Sequence, residues 1–167
     1  MKITLCLCFV SLVFLAGCGT PSTGPVSQGQ NTIQADGITP KLSPSTTPTL
    51  SNLEKINSIV EPSIHQPVVI SAAEELTASG WAVDQSAQSE ASGVEIVIDG
   101  KAYRAKTGIE RMDVANYLKV PAYSRAGFSF SAPADAFGRG KHQLSLRVIA
   151  KDGKSYFETP AVAINVE

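Results

Sequence analysis

The chain has 167 residues, of which 43% are hydrophobic and 17% charged, and its formal net charge is -1. Such a balance offers no basic surface for nucleic acid or for anionic lipid headgroups. The 3 cysteines all lie within the first 18 residues. The rest of the chain therefore has neither a disulfide nor a thiolate metal site, and must be held together by core packing and strand pairing.

Residues 1–18 have the layout of an export signal. The cation of Lys2 precedes an apolar run from Ile3 to Phe14, which is too short to span a bilayer as a permanent helix. The run ends in Leu15-Ala16-Gly17-Cys18, a pattern that resembles the lipobox of bacterial lipoproteins. The resemblance implies cleavage that removes a signal peptide 1–17, and acylation of Cys18, which anchors the chain in a lipid bilayer. Ordinary secretion with cleavage nearby is the alternative.

The same resemblance implies a place in the bacterial cell envelope. Gly19 follows the cysteine at a position where many lipoproteins retained at the inner membrane of Gram-negative bacteria carry an aspartate. The outer membrane is therefore favoured over the inner membrane. The periplasmic side and the cell surface both stay open as the side that the protein faces.

Residues 18–52 carry the lipidated cysteine and a segment of different composition. The segment holds half of the 10 prolines of the chain, is rich in Ser, Thr, Gly and Gln, and lacks aromatic residues. It cannot bury enough apolar surface to offset its conformational entropy, so we predict a disordered tether. A proline-rich ligand for a partner protein is the alternative.

Residues 53–66 lead into the patterned part of the chain. Leu53, Ile56, Ile59 and Val60 have helical spacing over a short window, which Pro62 ends. We therefore expect a short helical turn or an irregular lead-in here.

The segment 67–167 is dominated by strand patterns. Val68–Ile70 follows a proline and is expected to be an edge strand. Leu76–Val83 carries the only tryptophan, Trp81. We expect Trp81 and Val83 to point inward and Ala82 outward, so that the indole anchors the core.

Two Asp-Gly pairs predict β-hairpins, because both turn positions favour positive φ angles. Around Asp99-Gly100, the register places Ile96 opposite Tyr103 and Glu95 opposite Arg104. Around Asp152-Gly153, a second hairpin follows the long strand Lys141–Ala150, and its register places Val148 opposite Phe157, Ile149 opposite Tyr156 and Arg147 opposite Glu158. Apolar residues thus face apolar ones and acids face bases, as cross-strand pairs prefer.

The remaining elements complete an all-β pattern. Within Gly108–Val120, Asp113 is expected to cap a short helix that Pro121 limits. Phe128 and Phe130 should face inward from a strand, and Ala161–Val166 should be a last edge strand. Seven to eight short strands with turns between them predict an antiparallel β-sandwich of immunoglobulin-like type, with a small barrel as the alternative.

An ordered series of short motifs is similar to the immunoglobulin-like β-sandwich modules of bacterial surface and envelope proteins. The series covers most of residues 67–167, with Met112 where the pattern expects a proline. It runs through Gly80-Trp81-Ala82-Val83-Asp84, the Val94–Gly100 hairpin, Gly108-Ile109-Glu110-Arg111-Met112-Asp113-Val114-Ala115, Ala126-Gly127-Phe128 and Gly140-Lys141-His142. The resemblance implies a fold and a location, and it brings no catalytic residues.

Arg111, Asp113, Tyr117 and Tyr123 are the candidate site residues, because all four fall in the irregular segment. Arg111 and Asp113 either contact a ligand, or Asp113 caps the helix while Arg111 braces the loop through backbone carbonyls. Tyr117 and Tyr123 either form a binding surface or pack into the domain.

No motif in the sequence indicates an enzyme, a cofactor or a metal site. His65 and His142 lack the spacing of metal ligands, and no Gly-Xaa-Ser-Xaa-Gly nucleophile elbow is present. The aspartates at predicted loop ends are expected to serve turns. We therefore predict a non-catalytic interaction or structural module whose partner is an envelope protein or a glycan. An envelope enzyme, or an accessory subunit of one, is the alternative.

Overall fold

The structure is a computed structural model, and it describes residues 42–47 and 49–167. The predicted signal peptide, Cys18 and most of the predicted tether lie outside the described residues. The described part is mostly β and forms two sheets, with one α-helix and two short 3₁₀ helices. Within these ranges, no helix is long and apolar enough to cross a membrane.

The strands are numbered in chain order, and the α-helix α1 lies between the ninth and the tenth. The bounds are β1 (Ser43–Pro44), β2 (Leu50–Ile56), β3 (Ile59–Val60), β4 (Val68–Ile70), β5 (Glu75–Asp84), β6 (Ser89–Glu90), β7 (Gly93–Ile98), β8 (Lys101–Arg104), β9 (Lys106–Ile109), α1 (Met112–Leu118), β10 (Gly127–Pro133), β11 (Gly140–Ile149), β12 (Ser155–Glu158) and β13 (Val162–Val166). The 3₁₀ helices are Pro121–Tyr123 and Ala134–Phe137.

The first sheet is built around β11. This strand pairs with β7 on one side, and on the other side with β13 along its first half and with β12 along its second half. Three further strands extend the sheet: β8 pairs with β7, β1 lies parallel to β12, and β4 lies parallel to β13.

The second sheet is built around β5. It pairs with β2 and β10, while β3 extends the sheet beyond β2 and β9 extends it beyond β10. The short β6 folds back on the end of β5. Two separate sheets, each with open edges, exclude the small barrel for the described part of the chain.

One hydrophobic core contains residues from both sheets. Alternate residues of the β11 strand, Leu144, Leu146 and Val148, are almost fully buried in it, as expected for a strand with one inward face. Phe128 and Phe130 of β10 also belong to this core. The inward positions predicted for Phe128 and Phe130 are confirmed.

Both predicted hairpins have the expected register. Ile96 lies opposite Tyr103 and Glu95 opposite Arg104, and the turn residues Asp99 and Gly100 both have positive φ angles, 49° and 81°. In the second hairpin, all three expected pairs form, with Val148 opposite Phe157, Ile149 opposite Tyr156 and Arg147 opposite Glu158.

The segment before Pro67 differs from the expectation of an irregular or helical lead-in. Leu50–Ile56 forms β2, a full strand of the second sheet, and Ile59–Val60 returns as β3. Ile56 is fully buried in the core. The helical spacing was misleading because a bulge between Leu53 and Lys55 shifts the register of β2 on β5 and breaks strict alternation. The second sheet thus begins at Leu50, and β1 (Ser43–Pro44) of the first sheet also lies within the segment expected to be tether.

The orientation expected for Trp81 is wrong. Leu76, Ala78 and Ala82 face the core between the sheets, whereas Trp81 is only half-buried and packs against a separate cluster on the other face of β5. The reason lies in the neighbouring strand, where Phe128 is the cross-strand partner of Gly80. Small residues on the inner face of β5 leave room for the phenyl rings of β10, so the indole occupies the opposite face.

The last strand is also not an edge. β13 lies between β11 and β4, and the open edge on that side is β4. Val68–Ile70 is therefore the edge strand that the sequence predicts, and β13 lies one strand further inside the sheet.

Candidate functional site

The irregular segment between β9 and β10, residues 110–126, contains α1 and the 3₁₀ helix Pro121–Tyr123; we call it the α1 insertion. It packs on the outer face of the second sheet through a second hydrophobic cluster. The buried members of that cluster are Val83, Val114, Ala115, Tyr123 and Ala126, and the partly buried ones are Leu50, Trp81, Leu118 and Val120. The insertion is thus held on the sheet by apolar contacts.

Arg111 braces the start of the α1 insertion. Its Nη1 and Nη2 atoms donate to the two carboxylate oxygens of Glu54 in β2, both at 2.8 Å. Its Nε and Nη2 atoms donate to the carboxylate of Asp113 at 2.9 and 2.7 Å. The backbone N–H of Arg111 donates to the carbonyl of Ser124 at 2.7 Å, which closes the two ends of the insertion. Arg111 is therefore a brace that acts through carboxylates, whereas backbone carbonyls were expected.

Asp113 does not cap α1. The N-cap residue is Arg111, without a side-chain capping bond, and Asp113 lies in the first helical turn. Hydrogen bonds from Arg111 hold the pKa of the Asp113 carboxyl at about 2. The two carboxylates, Asp113 first and then Glu54, raise the pKa of Arg111 above its usual value. Both groups are thus charged and bonded to each other at neutral pH, with Arg111 largely shielded and Asp113 exposed.

The two candidate tyrosines have opposite environments. Tyr117 is 81% exposed on α1, whereas Tyr123 is 2% exposed in the second cluster. Burial, followed by the nearby charge of Asp84, raises the pKa of the Tyr123 phenol. Of the four candidate residues, Tyr117 and Asp113 are exposed, and the carboxylate of Asp113 is already bonded to Arg111.

Three residues of the α1 insertion were not named as candidate site residues from the sequence. Met112 is 50% exposed at the first position of α1. Glu110 and Arg125, at the two ends of the insertion, are exposed and line a shallow cleft of about 470 Å³ together with Gly108, Met112 and Ser124. No sequence signal could have joined these residues, because their proximity depends on how the insertion folds back.

The other carboxylates expected at loop ends do serve turns. Asp84 accepts bonds from the Ser86 hydroxyl and the backbone N–H groups of Ala87 and Lys151. Asp152 accepts one from the N–H of Lys154. Among the described residues, no group of three or more His, Cys, Asp or Glu side chains could hold a metal ion.

The two histidines are separate. His65 is exposed on the connection to β4. The Nδ1 of His142 lies 2.6 Å from the carboxylate of Asp99, and its Nε2 lies 3.1 Å from the carbonyl oxygen of Gly138. His142 thus ties the start of β11 to the turn of the first hairpin.

Comparison with known proteins gives no relative that assigns a family. No protein-family model and no curated protein matches the chain. Among solved structures, it is similar to the X-ray structure of the endo-beta-1,4-mannanase from Thermotoga petrophila, with a TM-score of 0.43 and 10% identity. The match covers 74% of this chain but only 20% of the mannanase chain. A likeness this distant supports no conclusion about fold or activity.

Proposed function

We propose that this chain is a membrane-anchored lipoprotein of the bacterial cell envelope, whose immunoglobulin-like β-sandwich is a non-catalytic binding module for an envelope protein or glycan. The binding role is inferred from the structure of the α1 insertion. It is fixed to the second sheet by an apolar cluster and by the Arg111–Glu54 ion pair, and it holds Tyr117 81% exposed. A tyrosine on a rigid support provides contact area at low entropic cost, as binding surfaces require.

The strand order supports the immunoglobulin-like assignment. The second sheet has the order β2-β5-β10-β9, and the first contains β13-β11-β7-β8. In immunoglobulin domains, strands A, B, E and D form one sheet and strands G, F and C the other, with C′ added in the variable type. If β2 is taken as A, the neighbours in both sheets follow this order.

The membrane anchor is supported by the N-terminal sequence. Leu15-Ala16-Gly17-Cys18 ends an apolar run of signal-peptide length, and Gly19 favours transport to the outer membrane. Several acyl chains on one cysteine bind a membrane stably, because each buried methylene adds to the transfer free energy. The mature protein would then display its sandwich at the membrane surface.

Lipidation is tested with Cys18→Ser in the full-length protein. Metabolic labelling with a palmitate analogue should mark the wild-type protein and not the variant, and only the wild type should sediment with membranes after a high-salt wash. Cys6→Ser and Cys8→Ser are matched controls that should stay labelled, since both residues precede the expected cleavage site. Equal labelling of Cys18→Ser and the wild type would remove the anchor from the proposal.

The binding role is tested by photo-crosslinking in intact envelopes. A photoreactive phenylalanine analogue at Tyr117 should give a discrete crosslinked product. The same analogue at exposed Asp135, which follows the opposite end of β10, is the control and should give none. If both positions give the same products, or neither gives any, the α1 insertion is not the binding surface.

A further inference from the structure

Two shallow clefts meet at Arg125, beside the open edge of the second sheet. One, of about 470 Å³, is lined by Gly108, Glu110, Met112, Ser124 and Arg125. The other, of about 440 Å³, shares Gly108 and Arg125 and continues along Glu90, Ala91, Ser92, Thr107 and Lys151. We call the two together the Arg125 cleft. Its floor includes β9, which has a strand partner on one side only among the described residues.

The guanidinium of Arg125 is held in place by a bulge in β9. The register of β9 on β10 shifts so that Gly108 lies between the paired residues Thr107 and Ile109. The carbonyl oxygen of Gly108 accepts a hydrogen bond from Nε of Arg125 at 3.2 Å. Gly108 has a φ of 76°, and a Cβ atom there would lie 3.4 Å from Nη2 of Arg125. Glycine thus allows the bulge and lets the guanidinium lie against the backbone.

This contact uses only one donor of the guanidinium. Within the described residues, Nη1 and Nη2 of Arg125 donate no hydrogen bond, whereas the corresponding atoms of Arg111 bind two carboxylates. The two Nη atoms of an oriented guanidinium form a planar fork that matches the two oxygens of a carboxylate. Arg125 therefore presents an oriented carboxylate-binding fork in the cleft.

The other charges of the cleft indicate what kind of carboxylate ligand fits. Glu110 is exposed and has no ion-pair partner among the described residues, and it lines the same cleft as Arg125. On the other side of the cleft, Lys151 lies 3.1 Å from Glu90, and the Glu90 carboxylate is also within electrostatic range of Arg125. A uniformly anionic chain would be repelled by Glu110. A ligand with a carboxylate next to a cationic group would instead satisfy both Arg125 and Glu110.

From this arrangement we propose that the Arg125 cleft binds a peptide segment that carries a carboxylate beside an ammonium group. The carboxylate binds the Nη fork of Arg125, the ammonium group binds Glu110, and apolar parts of the peptide contact exposed Met112. The inference rests on the proposed function, because Met112, Ser124 and Arg125 belong to the α1 insertion, and it names the ligand class of that surface.

The test is a titration of ¹⁵N-labelled full-length protein, followed by amide chemical shifts. The probe is N-acetyl-glutamyl-lysine amide, which carries one carboxylate and one ammonium group. We expect saturable shifts at Gly108, Ser124 and Arg125. The glutaminyl-lysine counterpart lacks the carboxylate and should bind about tenfold more weakly, the usual effect of losing a charge-assisted hydrogen bond.

Three variants identify the groups responsible. Arg125→Gln and Arg125→Lys should each weaken the probe about tenfold, the latter because lysine keeps the charge but loses the fork. Glu110→Gln should weaken N-acetyl-glutamyl-lysine amide but not a glutamyl-glutamine probe. Arg139→Gln, at an exposed arginine in the turn before β11, is the matched control and should bind as the wild type does. Thermal unfolding of each variant shows whether the bulge and the fold are retained.

Several results would overturn the inference. These are equal binding by Arg125→Lys and the wild type, the absence of saturable shifts, or tighter binding of trigalacturonate, a uniformly anionic saccharide. Failure of this ligand assignment can be distinguished from failure of the proposed function. Probe binding without a crosslink from position 117 would contradict the envelope-binding role alone, and a crosslink without probe binding would contradict the ligand class alone.

Discussion

Arg111 and Arg125 lie at the two ends of the α1 insertion and have different roles. Arg111 is 19% exposed at its side chain and bonds to Glu54 and Asp113, so its donors are consumed inside the protein. Arg125 is exposed, and its Nε atom donates one hydrogen bond to the Gly108 carbonyl oxygen. The difference comes from neighbours: two carboxylates converge on the first arginine, and a bulged backbone supports the second. Residue type alone cannot distinguish the two arginines.

The Arg111–Glu54 pair should contribute measurably to stability. Glu54→Gln removes one carboxylate from a partly buried, bidentate pair, and should lower the free energy of unfolding by about 1–2 kcal/mol. Urea unfolding of the single variants and of the double variant with Arg111→Gln measures the coupling. Glu74→Gln, at an exposed carboxylate, is the control and should change little. A coupling near zero would show that the pair does not hold the insertion.

The His142–Asp99 pair should make stability depend on pH. The hydrogen bond that His142 donates to the Asp99 carboxylate raises the pKa of His142 above its ordinary 6.5, and the bond to the Gly138 carbonyl adds to this effect against the cost of burial. Doubly protonated imidazole donates to both partners, whereas the neutral ring donates to one. Because the folded-state pKa is raised, the stabilisation is fully present below about pH 6.5 and is lost as the pH rises through the folded-state value.

We therefore expect the free energy of unfolding to fall as the pH rises above about 6.5, and we expect His142→Gln to flatten this dependence. Urea unfolding at a series of pH values checks it, and His65→Gln on the exposed connection serves as the matched control. A slope that persists in His142→Gln would assign the effect to another group.

At the scale of elements, β5 carries two different surfaces. Its inner face includes three small residues, Ala78, Gly80 and Ala82, beside the phenyl rings of β10, and its outer face carries Trp81 and Val83 under the α1 insertion. A Cβ atom at Gly80 would overlap the backbone carbonyl of Asn52 in β2. Glycine is therefore required for the close approach of β2, the strand that also holds Glu54.

Trp81→Ala should lower the free energy of unfolding by less than removal of a tryptophan side chain from the main core would. Trp81 is half-buried and packs on the second cluster, so we expect a loss of about 1–3 kcal/mol, against about 3–5 kcal/mol for a fully buried aromatic residue. Denaturant unfolding measures the change, and quenching of Trp81 fluorescence by acrylamide in the folded wild type measures its exposure. Phe128→Ala, in the main core, is the comparison and should cost more. Equal losses would mean that the second cluster is as important to stability as the core.

At the scale of the whole molecule, the domain includes a strand, β2, that begins within the segment predicted to be tether. β2 pairs with β5, buries Ile56 and supplies the Glu54 carboxylate to Arg111. The α1 insertion and β2 are therefore coupled.

N-terminal truncation tests how much β2 contributes to the stability of the domain. A chain that begins at Leu50 keeps β2 and should unfold cooperatively, with nearly the stability of the chain that begins at residue 42. A chain that begins at Asn57 lacks Ile56 and the ladder to β5. A buried isoleucine alone contributes about 2–5 kcal/mol, and a domain of this size has only about 5–15 kcal/mol, so this chain should be largely unfolded. Circular dichroism during thermal unfolding distinguishes the two, and a cooperative transition in the shorter chain would show that β2 is dispensable.

The sequence by itself determined the two hairpins with their registers, and the inward face of β10. Asp99-Gly100 and Asp152-Gly153 encode their turns locally, and alternation along adjoining strands then sets the register. The tertiary structure decided what depends on distant partners. Phe128 determines which face of β5 is buried, and Glu54, 57 positions before Arg111, converts that arginine into a brace. The Arg125 cleft likewise exists only because a bulge at Gly108 meets the returning end of the insertion. Turn chemistry acts between neighbouring residues, whereas burial and ion pairing are selected by whichever side chains the assembled sheets bring together.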